Sequence, residues 1–98
     1  MFEIRLGDQG EVVMSGRLDA AQCDKALQFL DTLPAPRVVD LAALEYISSA
    51  GLGVLLKTQK RVMAGGRGLQ LVNANRHIRD IFKYAGFDRI FEIAPGGA

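Results

Sequence analysis

The chain has 98 residues, is 49% hydrophobic, and carries 12 Lys and Arg against 11 Asp and Glu. That is enough for one domain, residues 1–98, with a small core, and the balanced charge argues against a dedicated nucleic-acid surface. A single cysteine, Cys23, excludes an internal disulfide, no apolar run is long enough to span a membrane, and the N-terminus lacks the pattern of a signal peptide, so a soluble cytoplasmic domain is expected.

From the N-terminus, Phe2, Ile4 and Leu6 alternate with Glu3 and Arg5, the period of a half-buried strand. Gly7-Asp8-Gln9-Gly10 is a turn. Val12, Val13 and Met14 form a second short strand that ends at Gly16, giving a hairpin. Asp19 is placed to cap a helix in which Cys23, Ala26, Leu27, Leu30 and Leu33 keep helical spacing until Pro34 and Pro36 close it. Residues 37–41 are short and β-branched, the mark of a buried strand. Leu44, Tyr46 and Ile47 lead from it into Ser48-Ser49-Ala50-Gly51-Leu52-Gly53-Val54-Leu55, where a helix starts. Leu52, Leu55, Leu56, Gln59, Val62 and Met63 predict its buried face, with Gln59 the one polar member, and Gly65-Gly66 stops it.

Leu69, Leu71 and Val72 make another strand. Asn75 caps a helix whose stripe is Ile78, Ile81, Phe82 and Ala85, ending at Gly86. Ile90, Phe91 and Ile93 form a last strand, and residues 95–98 a frayed end. The order β-β-α-β-α-β-α-β predicts an α/β fold: an N-terminal hairpin leading into a mixed, mostly parallel sheet with helices packed on it. Sites in such sheets lie at the carboxyl ends of strands, which is where Ser48 and Ser49 stand.

Two glycines in the first turns of a helix, each costing about 1 kcal/mol relative to alanine, imply a close approach to the backbone there. A serine at such a start is either a cap or a place for a phosphate, because the first amides of a helix are unpaired and attract anions. Serine hydrolysis is not indicated: Ile47 and Gly51 flank Ser49, which leaves half of G-x-S-x-G missing, and His77, the one histidine, sits among Asn75, Arg76 and Arg79 at a helix start. Gly51-Leu52-Gly53 and Gly65-Gly66-Arg67-Gly68 match neither nucleotide-binding loop. The latter reads as a helix stop and the former as close helix–strand packing, which leaves room for an anion. Asp19, Asp24, Asp31, Asp40 and Asp88 lack ligand spacing, so neither metal nor cofactor is expected.

Gly16-Arg17-Leu18-Asp19, Val39-Asp40-Leu41 and the segment from Tyr46 to Leu55 together resemble the STAS domain, and more narrowly the bacterial anti-sigma-factor antagonists, whose usual forms are G-E-L-D, a strand ending D-L, and D-S-[ST]-G-L-G. Lys83-Tyr84-Ala85-Gly86-Phe87 is similar to the family's last helix end. The resemblance spans nearly the whole chain. It implies a regulatory binding module, not an enzyme. The unphosphorylated form binds an anti-sigma factor that is also a serine kinase, phosphorylation ends that binding, and a serine phosphatase restores it. Alignment puts the phosphoacceptor on Ser49, with Ser48 the alternative, and the binding face on Asp19, Ser48, Ser49, Gly51, Leu52 and Gly53. Ser48 replaces the usual Asp, Ala50 the usual Ser or Thr, and Arg17 the usual Glu, a charge reversal expected near the same face. The C-terminal helix of many relatives is expected to be absent, exposing a surface for weak self-association. The other readings are an unphosphorylated STAS subunit of another regulatory or lipid-transport complex, and a module that senses a nucleotide or other anion at the Ser49 helix start.

Overall fold

The computed structural model describes residues 1–94, so residues 95–98, expected to fray, lie outside the described residues. Five strands run in the order β1(Phe2–Leu6), β2(Val12–Leu18), β3(Val38–Ile47), β4(Gln70–Val72) and β5(Glu92–Ile93), and they lie side by side in that same order in one sheet. β1 is antiparallel to β2, and every later pair is parallel. Three helices, α1(Cys23–Asp31), α2(Ser49–Met63) and α3(Arg76–Tyr84), make the crossovers. Successive strands joined by right-handed crossovers put all the helices on one face of the sheet. The expected α/β architecture and element order are therefore present, with short turns of 3-10 helix added at Ala20–Gln22 and Phe87–Arg89.

Burial follows from this layering. Phe2, Ile4, Val12, Met14, Leu18, Val39, Leu41, Leu44, Ile47 and Leu71 point from the sheet into the core, where they meet Ala26, Leu30, Val54, Leu55, Ile78 and Phe82 from the helices. Phe87 stacks on Phe82 with ring centroids 5.4 Å apart and lies 4.8 Å from the Phe91 ring, which seals the β5 end. Among the described residues the opposite face of the sheet carries no helix.

Four expected boundaries shift. β2 continues through Gly16 to Leu18, because Gly16 takes φ +85° at an irregularity in the register, where a Cβ would overlap the Met1 carbonyl. β3 runs on through Leu44 and Tyr46 to Ile47. α1 ends at Asp31, leaving Leu33 in the turn before Pro34. The last strand is only Glu92–Ile93, since residues 87–89 wind into a 3-10 turn.

The face of α2 is also rotated from its expected position. Gly51, Val54, Leu55, Thr58, Gln59 and Val62 are buried, Leu52 and Leu56 are half-buried, and Met63 is exposed. Gln59 is the buried polar residue the pattern singled out. Its Nε2 donates to the Ile90 carbonyl (2.7 Å) and its Oε1 accepts the Leu69 amide (2.6 Å), which fastens the distal half of α2 to the start of β4 and the turn before β5.

Candidate functional site

The site is built where β2 and β3 end side by side. Leu18 pairs with Ile47, and one step further the Ser48 amide donates to the Leu18 carbonyl at 2.9 Å. That bond ties Asp19, the residue that follows β2, to the start of α2. Ser48 has extended backbone angles (φ −85°, ψ 170°), its carbonyl accepts the Leu52 amide at 2.9 Å, and its Oγ accepts the Gly51 amide at 3.1 Å. Ser48 is thus the helix cap, filling the role that an aspartate at this position also fills well.

Ser49 is the first residue of α2. It is exposed, and no hydrogen bond among the described residues engages its hydroxyl. The two adjacent serines divide between them the two uses open to a serine at a helix start: one is consumed as cap, the other is presented to solvent. The Ser49 and Ala50 amides, first in the helix, have no intrahelical acceptor, and the first turn contains no acidic side chain. The local field there is positive.

The two glycines have different causes. At Gly51 a Cβ would lie 2.8 Å from Ile47 Cγ1 and 3.0 Å from both the Leu18 Cγ and the Leu18 carbonyl oxygen. α2 therefore docks on the ends of β2 and β3 at a distance that admits no side chain. At Gly53 a Cβ would meet nothing within 4 Å. Close packing, expected for both, explains Gly51 alone; Gly53 leaves a bare stretch of helix backbone facing outward between Ser49 and Leu56.

Asp19 precedes the 3-10 turn Ala20–Gln22 rather than α1, and its side chain makes no capping bond. Its carbonyl accepts the Gln22 amide (3.0 Å) and the Cys23 thiol (3.3 Å), while its buried Oδ1 has no donor among the described residues. Cys23 lies beside Ser48. Burial pushes its thiol above the usual range, the polar Ser48 side chain opposes that rise, and the charges of Asp19 and Asp24 add to it.

Arg17 sits elsewhere than expected. It pairs with Tyr46 across β2 and β3, and its guanidinium lies 4.4 Å from the Tyr46 ring centroid. Leu18 and Ile47, the next pair, are buried under α2, so strand alternation turns Arg17 and Tyr46 to the helix-free face. The reversed charge is separated from Ser49 by the sheet. This stack is invisible in sequence, because an irregularity in the register between Gly16 and Arg17 decides that 17 meets 46. His77 is exposed in the first turn of α3. Among the described residues no group of His, Cys, Asp and Glu is arranged to hold a metal ion, and no helix is long and apolar enough to cross a membrane.

The sequence and the fold are both similar to those of known proteins. The family model described as Mlab, STAS domain matches residues 3–93. BtrV of Bordetella bronchiseptica, named as an anti-sigma factor antagonist, is 36% identical over 83 residues, 85% of this chain and 71% of its own. The crystal structure of an anti-sigma factor antagonist from Mycobacterium paratuberculosis superposes with a TM-score of 0.79 at 25% identity, covering 99% of this chain and 86% of that one. SpoIIAA, a Bacillus cell fate determinant whose structure is known in its phosphorylated form, shares the fold with a TM-score of 0.68 at 18% identity, over 97% of this chain and 92% of that one.

Proposed function

The chain belongs to the STAS domain family, and from that premise we propose that it is an anti-sigma factor antagonist that works by partner switching through Ser49, with residues 1–98 forming the one STAS domain. The observation that carries the reading is the division of labour at the start of α2, where Ser48 caps the helix and the Ser49 hydroxyl is exposed and unengaged. A kinase needs an acceptor hydroxyl it can reach without unfolding a cap.

In this reading the unphosphorylated protein binds an anti-sigma factor that is also a serine kinase. The contact face runs from Asp19 and Ser48 over Ser49, Leu52 and Gly53, with Gly51 holding the helix in place beneath it. Half-buried Leu52 supplies apolar area, and the open backbone at Gly53 admits close approach. Transfer of a phosphoryl group to Ser49 adds nearly two negative charges in the middle of that face. The free amides of Ser49 and Ala50 and the helix dipole favour the phosphate where it stands. A partner closing over it would have to strip its water, and that desolvation ends binding. A serine phosphatase restores the original state. The role is regulatory rather than enzymatic, and these partners place it in the cytoplasm.

The Mlab description of the matching family favours a second reading, an unphosphorylated STAS subunit of another complex. Intact-mass analysis of protein from its native cell, in growth and in stress, separates the two. Partner switching predicts a fraction heavier by one phosphate that maps to Ser49 and disappears in Ser49→Ala. A single unmodified mass under every condition supports the second reading instead.

A further inference from the structure

Among the described residues β1 is an edge strand, paired only with β2. The Arg17 amide donates to the Met1 carbonyl at 2.9 Å, and the Gly7 amide to the Glu11 carbonyl at 2.7 Å. In an antiparallel ladder these two bonds fix the phase of the rest. The backbone groups of Met1, Glu3, Arg5 and Gly7 face β2, and those of Phe2, Ile4 and Leu6 face outward. Lys25 Nζ reaches the Phe2 carbonyl at 3.2 Å, and the Arg5 guanidinium reaches the Leu6 carbonyl at 3.4 Å. Among the described residues the three outward amides and the Ile4 carbonyl have no such partner.

The side chains along this edge are distinctive. Glu3 and Arg5 are exposed on the helix-free face, opposite Ser15 and Val13, so neither meets an opposite charge across the ladder. On the other face Phe2 and Ile4 are buried, but Leu6 is 46% exposed.

We propose that β1 pairs antiparallel with β1 of a second copy, about a two-fold axis through Ile4, joining the two sheets into one. Ile4 then exchanges both backbone hydrogen bonds with its own counterpart, and Phe2 does so with Leu6 of the second copy. Every outward amide finds a carbonyl. Glu3 falls opposite Arg5 and Arg5 opposite Glu3, at the closely spaced positions where side chains approach most. Leu6 comes to lie beside the second copy's Phe2. The charges also select the register. A slip of two residues in one direction sets Glu3 against Glu3, and in the other Arg5 against Arg5, while a slip of one residue turns core side chains to the wrong face. A five-residue edge makes a small interface, so the dimer is weak and concentration-dependent. The lysine at the Phe2 carbonyl, a common guard on sheet edges, keeps it so.

Sedimentation velocity of the full chain from about 10 μM to about 1 mM, the range of a small interface, tests this. The expected result is a monomer–dimer equilibrium that Glu3→Arg alone and Arg5→Glu alone each weaken at least tenfold, because each turns two attractive pairs into two repulsive ones. The double variant E3R/R5E restores it. Both side chains are exposed, so circular dichroism of the three variants should match that of the wild type. Exchange of the Ile4 amide should slow as concentration rises. A monomer at every concentration, a dimer indifferent to the single reversals, or a double variant no better than the singles would overturn the proposal.

Discussion

The Ser48 hydroxyl oxygen accepts the Gly51 amide at 3.1 Å, and Gly51 in turn has no room for a Cβ against Leu18 and Ile47. One residue sets where α2 begins and the other how closely it seats on the sheet. Between them Ser49 is held at a fixed, exposed position. Ser48→Ala should cost about 1 kcal/mol, the usual worth of a cap, and lower Tm by about 5 °C in a domain of this size. Ser48→Asp should keep the cap and the stability. Thermal melts of the three proteins check this.

Gly51→Ala and Gly53→Ala should separate in sign. The first forces a methyl into the Leu18 carbonyl and the Ile47 side chain and should destabilise by more than about 1 kcal/mol. The second enters open space and should stabilise by about 0.5–1 kcal/mol, since alanine is the better helix former. If a partner seats on the bare backbone at Gly53, the more stable Gly53→Ala protein should nonetheless bind it less well. Urea titration and a pull-down on the same preparations test both halves.

Gln59→Leu should destabilise by about 2–3 kcal/mol, because it leaves the buried Leu69 amide and the Ile90 carbonyl without their partner. Chemical denaturation measures it. The unfolding slope should be unchanged, since the loss is local to the native state.

Most of the fold is legible in the chain because strand and helix periods alternate with Gly and Pro stops. The stripe on α2 is the instructive exception. Leu52, Leu56 and Met63 look like core by their chemistry, yet the buried side is set as much by Gly51 and Thr58, which apolar counting passes over. Gly51 turns inward because only glycine fits against Leu18, and that pulls the whole face round by about one residue. The half-exposed Leu52 and Leu56 follow from the same rotation. At the candidate site, the neighbouring hydroxyls are visible in sequence but their roles are not, because capping depends on the ψ of 170° at Ser48. Gly16 looks like a strand end for a similar reason: a glycine inside a strand signals a stop or an irregularity, and only the register tells which.

Cys23 gives a pH signature. Its thiol is raised above the usual range, mainly by burial, so between about pH 8.5 and the folded value the unfolded chain has lost a proton that the folded chain keeps. The contribution to stability is complete below the unfolded pKa and falls as pH rises through the folded one. Stability measured against pH should therefore drop more steeply above about pH 8.5 in the wild type than in Cys23→Ala, with the difference vanishing near neutrality. Alkylation of the native protein at pH 7 should also be slow compared with the denatured chain.

The most direct test of partner switching is the affinity of three proteins for the cognate anti-sigma factor, measured by calorimetry in one buffer. Wild type and Ser49→Ala should bind alike, and Ser49→Asp should bind at least tenfold more weakly, because it sets a permanent negative charge at the start of α2 inside the contact face. With ATP present, the wild-type complex should decay while the Ser49→Ala complex persists. Equal binding by all three proteins, together with an ATP-insensitive wild-type complex, would contradict a switch at Ser49.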